Sequence, residues 1–328
     1  MRMIQDCANP SFLTPFQCIQ QYTKKRFKTV PVNRFDVYGC VYDHNYFLRP
    51  ESLRGLGGKW RHKDPVSLHG HELVNYSGLD GEYQYLGHAF AAYGHFILES
   101  LPMLSHLLED HVGVGIYLAW GTWGNRCRDL LDTVLTMLGL DQSSIIVHSG
   151  NKILKARMSI PSRPLRLSPS AASPRYELLD DHAYRSVIDR LVRSVHSTLG
   201  TDSSGRHSRL FLMRSAKRLP NDNLQDSLRT ELEKQGFECI YPELLSFPEQ
   251  VKTLASASVV AGSAGSQLHN AIFCHQDSLV IEIGDQRTPG QPLIFQRLCS
   301  DIARNTHRHV EYSDNALKIV HDIVQVLA

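Results

Sequence analysis

Short apolar runs alternate with amphipathic stretches along this chain, most clearly in its second half. Arg209–Arg214 (RLFLMR), Glu238–Tyr241, Ala257–Ala261 (ASVVA) and Ser278–Ile283 (SLVIEI) predict strands. Between them, Asp222–Gln235, Phe247–Ser256 and Gln267–Cys274 predict helices, with Gly236 ending the first and Pro248 in the first turn of the second. This β-α-β-α-β-α-β order implies a parallel, doubly wound sheet. The first half has the same grammar in weaker form. Tyr85–Phe90, Val114–Ala119 and Ser144–His148 are strand candidates, and Gly94–Glu109 and Arg126–Leu138 are helix candidates. Pro102 should kink the first of these helices or mark its limit. The first eighty residues give no clear pattern.

Between the halves, residues 160–175 (IPSRPLRLSPSAASPR) have linker chemistry. A long helix is expected at 176–199, ended by Gly200, with a loop at 201–208. The expected organisation is an N-terminal α/β lobe (1–160), a linker and long helix (161–207) and a C-terminal lobe (208–328). Two α/β lobes joined this way leave a crevice, and ligands of such sheets bind beyond the carboxyl ends of the strands.

Composition narrows the function classes. The chain has 328 residues, a net charge of +2, 42% hydrophobic and 21% charged residues. These values fit a folded globular protein, and the length suits two domains. The near-zero charge removes a global electrostatic case for nucleic acid. A local basic patch would still allow peripheral membrane contact. The seven cysteines are odd in number and form no C-x-x-C pair, which suits a reducing compartment and argues against a cysteine-rich zinc site. Asp6 and Pro10 interrupt what a signal peptide would need to be apolar. The expectation is a soluble, cytoplasmic protein.

Three features carry candidate chemistry. The first is VVAGSAGSQLHNAIF (259–273), a strand running through Gly262, Ser263, Ala264, Gly265 and Ser266 into a helix. Small residues let a backbone approach an anion, and helix-start N–H groups favour one. The run is neither G-x-G-x-x-G nor a P-loop, so an ordinary tight turn is the alternative. His269 and Asn270 lie on the following helix, within reach of a phosphate or sugar hydroxyl. Glu282, at the end of the next strand, suits ribose hydroxyls, the alternative being a solvated edge residue. The second feature is the basic turn after RLFLMR, with Arg214, Lys217 and Arg218 suited to phosphate. The third is GHAFAAYGHFILESLPML (87–104), where His95 and Glu99 are four apart on one helical face. That pair can be an oriented general base, two metal ligands, or a buried hydrogen bond that pins the helix. No third ligand is evident, and no metal site is assigned.

As a set these stretches resemble glycosyltransferase family 61, in its bacterial, capsular-polysaccharide-biosynthesis form. The resemblance is carried by YLGHAFAAYGHFILESLPML, RLFLMRSAKRLPND, GFECIYPELLSFPEQVKTLASASVVAGSAGSQLHNAIF and SLVIEIGD, over roughly residues 83–110 and 208–285. Many members have His-Gly-Ala-Gly in the glycine turn; Ala264-Gly265-Ser266-Gln267 stands here, and Asp222 stands where Glu is frequent. The resemblance implies a GT-B-like fold: two Rossmann-type, doubly wound lobes facing each other across a cleft. It implies an inverting, metal-independent transfer from a nucleotide sugar, UDP-linked in characterised members, to a glycan acceptor, with no further cofactor. Arg214, Lys217, Arg218 and the Gly262–Ser266 turn would hold the diphosphate, supported by His269 and Asn270. Glu282 would hold ribose or the donor sugar. His95 or Glu99 would be the base. Ala264 in place of the family's His motivates a second reading, a non-catalytic binding subunit of a polysaccharide assembly complex. The histidine count motivates a third, a metal hydrolase.

Overall fold

Two sheets of unlike construction organise the chain, described here from a computed structural model. The described residues are 14–19, 40–42, 76–109, 113–120, 124–148, 153–159, 164–167, 176–178, 180–199, 208–214, 223–284 and 290–328. The chain divides into two compact units, Met1–Tyr184 and Arg185–Ala328.

In the first unit β1 (Thr14–Ile19), β2 (Cys40–Tyr42), β3 (Tyr76–Phe90), β4 (Gly115–Trp120), β5 (Ile145–His148) and β6 (Ile153–Ser159) form one sheet in the order β2-β1-β6-β3-β4-β5. The pairs β6–β3, β3–β4 and β4–β5 are parallel, while β1 runs antiparallel to both β2 and β6. The sheet is therefore mixed, which departs from the parallel, doubly wound lobe expected there. Strand β3 is longer than its Tyr85–Phe90 signal, and its pairing is irregular, with one break between Tyr85 and His88. Gly87 sits in that break at φ +80°, a conformation a side chain disfavours.

The expected Gly94–Glu109 helix is not one α-helix. Tyr93–His95 (α1) passes into a π-helical turn, Phe96–Ser100, then a 3-10 turn, Leu101–Leu104, then Ser105–Glu109 (α2). Pro102 lies in the first turn of the 3-10 segment, where it cannot donate an α-helical bond. Helix α3 (Asn125–Leu138) buries Leu131, Val134, Leu135 and Leu138, one face at helical spacing.

The linker region is more structured than its composition suggests. Leu165–Leu167 (β7) and Tyr176–Leu178 (β8) form an antiparallel pair. Helix α4 (Asp181–Leu199) accordingly starts later than the expected 176, since Tyr176–Leu178 is extended.

The second unit holds β9 (Ser208–Leu212), α5 (Asn223–Lys234), β10 (Phe237–Ile240), α6 (Phe247–Ala255), β11 (Ala257–Ser263), β12 (Leu279–Ile283), α7 (Ile294–Ala303), β13 (Thr306–Val310) and α8 (Ala316–Leu327). Its five strands are all parallel, in the order β10-β9-β11-β12-β13. Counted within the unit this is 2-1-3-4-5, a doubly wound order whose direction reverses between β9 and β11. The central strands are apolar on both faces because helices cover both. Phe211, Val259, Ala261, Ile281 and Ile283 pack with Leu228, Leu232, Ile319 and Ile323, of α5 and α8, in one core. Leu210, Leu212, Val260 and Val280 are equally buried and alternate with that set, so they point to the opposite face. Helix α6 starts with a capping box, Ser246 accepting from the Glu249 N–H and the Glu249 carboxylate accepting from the Ser246 N–H. The segment after the glycine turn is a six-residue 3-10 helix, Leu268–Phe273, and not the α-helix expected over Gln267–Cys274. Among the described residues no helix is long and apolar enough to cross a membrane.

Candidate functional site

At the reversal point of the second sheet, the chain leaves β9 and β11 side by side. Leu212 and Gly262 are register partners, so the segments after them emerge at one level. On the β9 side the Met213 N–H donates to the Ile240 carbonyl (2.8 Å) and the Arg214 N–H to Oε1 of buried Gln225 (3.0 Å). On the β11 side the Ala264 N–H donates to the Ile283 carbonyl (2.8 Å), extending the β11–β12 ladder up to the turn. The two exits are joined by side chains. Arg214 donates from Nη2 to the Ala264 carbonyl (2.7 Å) and from Nε to Gln267 Oε1 (2.9 Å). Gln267 Nε2 in turn donates to the Ser263 carbonyl (2.9 Å).

Gly265 makes this clasp sterically feasible. Its φ is +147°, and a Cβ there would fall 1.7 Å from Arg214 Nη2. No hydrogen bond joins the N–H groups of Gly265, Ser266 and Gln267 to another described residue. A guanidinium beside consecutive backbone amides is chemistry that suits a phosphate oxygen. With only six residues of 3-10 helix behind it, the turn owes this to its own amides and to Arg214, and little to a helix dipole. Lys217 and Arg218 lie outside the described residues.

The other sequence candidates in this unit turn inward. The Asn270 side chain is 1% exposed and donates from Nδ2 to Gln250 Oε1 (3.2 Å), while Gln250 Nε2 donates to the Leu245 carbonyl (3.1 Å). It ties the 3-10 helix to α6. His269 is 6% exposed, with its ring 6.0 Å from that of Phe295 on α7. Glu282, expected to hold ribose hydroxyls with a solvated edge residue as the alternative, is 0% exposed. Its Oε1 accepts the Leu293 N–H (2.9 Å), and its Oε2 lies 3.1 Å from His307 Nε2. The geometry makes Glu282 a brace between β12, β13 and the start of α7. Glu282→Ala is expected to lower stability by about 1–3 kcal/mol, the usual cost of orphaning buried partners, with UDP affinity preserved. Thermal unfolding and calorimetry check it; normal melting with lost UDP affinity would return Glu282 to the ribose.

In the first unit the structure does bring His95 and Glu99 together. His95 Nδ1 lies 2.6 Å from Glu99 Oε1, and the side chains are 35% and 13% exposed respectively. Around them the π-helical turn is held by buried hydrogen bonds. Ser100 Oγ donates to the His88 carbonyl (2.7 Å) and accepts from the Phe90 N–H (3.1 Å). The Tyr117 hydroxyl donates to the Ser100 carbonyl (2.6 Å), and the Tyr184 hydroxyl donates to the Leu98 carbonyl. Burial holds the Tyr117 hydroxyl well above its ordinary pKa, so it stays a neutral donor. The Phe90 ring lies 5.6 Å from that of His95. Sequence reasoning missed Gln225, Gln267, Ser100 and Tyr117, since neutral polar side chains inside apolar runs carry no spacing signal. Among the described residues no group of three or more His, Cys, Asp or Glu comes together to hold a metal ion.

A protein-family model described as Glycosyltransferase 61 matches residues 93–281, which contain both sites. No curated protein matches the chain. Among solved structures it is similar to the glycosyl transferase family 9 protein from Veillonella parvula DSM 2008. That match has 10% identity, 73% of this chain and 87% of the other covered, and a TM-score of 0.30. It is also similar to the Flv1 flavodiiron core from Synechocystis sp. PCC6803, with 10% identity, 88% and 60% covered, and a TM-score of 0.27. Likenesses at that level carry no argument about fold or activity.

Proposed function

The chain belongs to glycosyltransferase family 61 and is a glycosyltransferase, and we propose that it moves a sugar, with inversion and without a metal ion, from a UDP-linked donor to a glycan acceptor. The single observation that carries the assignment of the donor site is the Arg214 guanidinium clasped over the glycine turn at the reversal point of the parallel sheet. In this reading the diphosphate lies against Arg214 and the amides of Gly265, Ser266 and Gln267, with Lys217 and Arg218 adding charge. Cations and oriented N–H groups offset the charge that develops on the leaving group.

The base is His95. A 2.6 Å contact with Glu99 fixes Nδ1–H toward the carboxylate, so Nε2 takes the proton. The acceptor hydroxyl loses its proton to Nε2 while its oxygen bonds to the anomeric carbon. The bond from that carbon to the diphosphate oxygen breaks, and UDP leaves with the electron pair. Glu99 is less exposed and holds the imidazolium that forms. The two units are then the acceptor and donor lobes of a GT-B-like enzyme. We place its work in bacterial capsular polysaccharide synthesis, at the cytoplasmic side, in contact with the membrane surface or an assembly complex.

The test is UDP release from a panel of UDP-hexoses and UDP-pentoses with oligosaccharide acceptors, with and without EDTA. The expected result is acceptor-dependent release that survives EDTA and yields the inverted anomer. Loss of activity in EDTA that a divalent cation restores would overturn metal independence. Tight nucleotide-sugar binding with no product from any donor would favour the non-catalytic subunit.

A further inference from the structure

We infer that Tyr117 and Tyr184 are the positioning residues of the base: their hydroxyls hold the two carbonyls that flank Glu99, and so fix the carboxylate that orients His95. The inference rests on the base proposed above and gives two buried side chains from outside the turn a part in the transfer. Tyr117 lies on β4 and Tyr184 in the first turn of α4, and they are 0% and 1% exposed. Both belong to the first unit, as His95 and Glu99 do.

The chain itself creates the need for them. The segment that carries Glu99 is not closed by a regular α-helical ladder. The Leu101 N–H donates to the Phe96 carbonyl, one residue further back than an α-helix allows. Pro102 follows and has no N–H, so the α-helical bond from position 102 to the Leu98 carbonyl cannot form. The Tyr184 hydroxyl donates to the Leu98 carbonyl in its place. Two residues on, the Tyr117 hydroxyl donates to the Ser100 carbonyl at 2.6 Å. Glu99 therefore sits between two peptide groups held from other elements, and its Oε1 lies 2.6 Å from His95 Nδ1. A carboxylate orients an imidazole only as well as its own backbone is held, and a displacement of about 1 Å can cost ~10²-fold in rate. Burial keeps the Tyr117 hydroxyl protonated, so replacing Tyr117 by phenylalanine removes a donor and no charge.

The experiment compares the full chain with its Tyr117→Phe, Tyr184→Phe, His95→Ala and Tyr184→Phe/His95→Ala variants. Turnover is measured with the UDP-sugar and oligosaccharide that release UDP fastest in the panel above, beside calorimetry with UDP. NMR of ring-labelled histidine reads the contact itself, the His95 signals being those missing from His95→Ala. Each single tyrosine variant keeps the other anchor, and circular dichroism melting verifies that it is folded at the assay temperature. Tyr117→Phe and Tyr184→Phe are each expected to lower kcat about tenfold, the scale of one hydrogen bond, with UDP affinity unchanged. In both, the His95 ring-nitrogen shifts are expected to move toward those of a free imidazole. The double variant is expected to be no slower than His95→Ala alone, because the tyrosine acts through the base. Normal turnover and unmoved His95 signals in the folded tyrosine variants would overturn the positioning role and leave the base standing. So would an equal loss from Tyr184→Phe in the His95→Ala background, or a loss of UDP affinity that parallels the loss of turnover. If His95→Ala keeps full turnover, the base reading and this inference fall together.

Discussion

Replacing His95 by alanine is expected to lower turnover by ~10²-fold or more, the usual scale for losing a general base, with the affinity for UDP unchanged. The split follows from the proposed roles, because His95 belongs to the first unit and the Arg214 and glycine-turn residues proposed for the diphosphate belong to the second. Glu99→Gln is expected to have a comparable effect for a different reason. The amide oxygen can still accept from Nδ1, so the ring keeps its orientation. The negative charge that offsets the imidazolium formed during transfer is lost. Steady-state rates with saturating donor, beside calorimetry with UDP, check both variants. Full activity in both, with normal melting, would place the base elsewhere and reduce the pair to a pin for the π-helical turn.

The second large effect is expected from Gly265→Ala. A Cβ at this position lies 1.7 Å from Arg214 Nη2, so the guanidinium must leave the Ala264 carbonyl. The residue also sits at φ +147°, where an L side chain costs on the order of 1–3 kcal/mol. The variant should therefore melt earlier and bind UDP about ten- to a hundredfold more weakly, the range for hydrogen bonds to a charged group. Normal UDP affinity in a folded Gly265→Ala protein would show that the clasp is not what the nucleotide meets.

The parallel core of the second unit was legible because strands covered on both faces read as apolar runs, as in RLFL, SVVA and LVIEI. The edge strand β13, THRHV, escaped for the complementary reason: polar residues fill its exposed positions, and only Val310 joins the core. Helices α7, before it, and α8, after it, received no assignment. The site divides in the same way. That Arg214 and the glycine turn meet was legible because loops leaving parallel strands share one side of a sheet. The burial of Glu282 was not, because sequence position at a strand end does not say what covers that end. It alternates with Ile281 and Ile283 and so points to the opposite face, where α7 begins. The burial of Asn270 and His269 was not legible either, because a six-residue 3-10 helix reads in sequence like the start of a longer one. His95 and Glu99 were recoverable because an i, i+4 pair survives the change from α- to π-helical geometry.

Helix α8 sets the order in which this unit can be completed as it is made. Ile319 and Ile323 close the same core as Phe211 of the first strand and Leu228 and Leu232 of the first helix. Every residue of the Arg214 clasp has been synthesised by Gln267, yet on that face of the sheet α5 alone is in place until α8 emerges from the ribosome. The clasp is thus encoded early and the core beneath it completed late, and a nascent chain stalled before Asn315 would leave β9, β11 and β12 without their α8 cover.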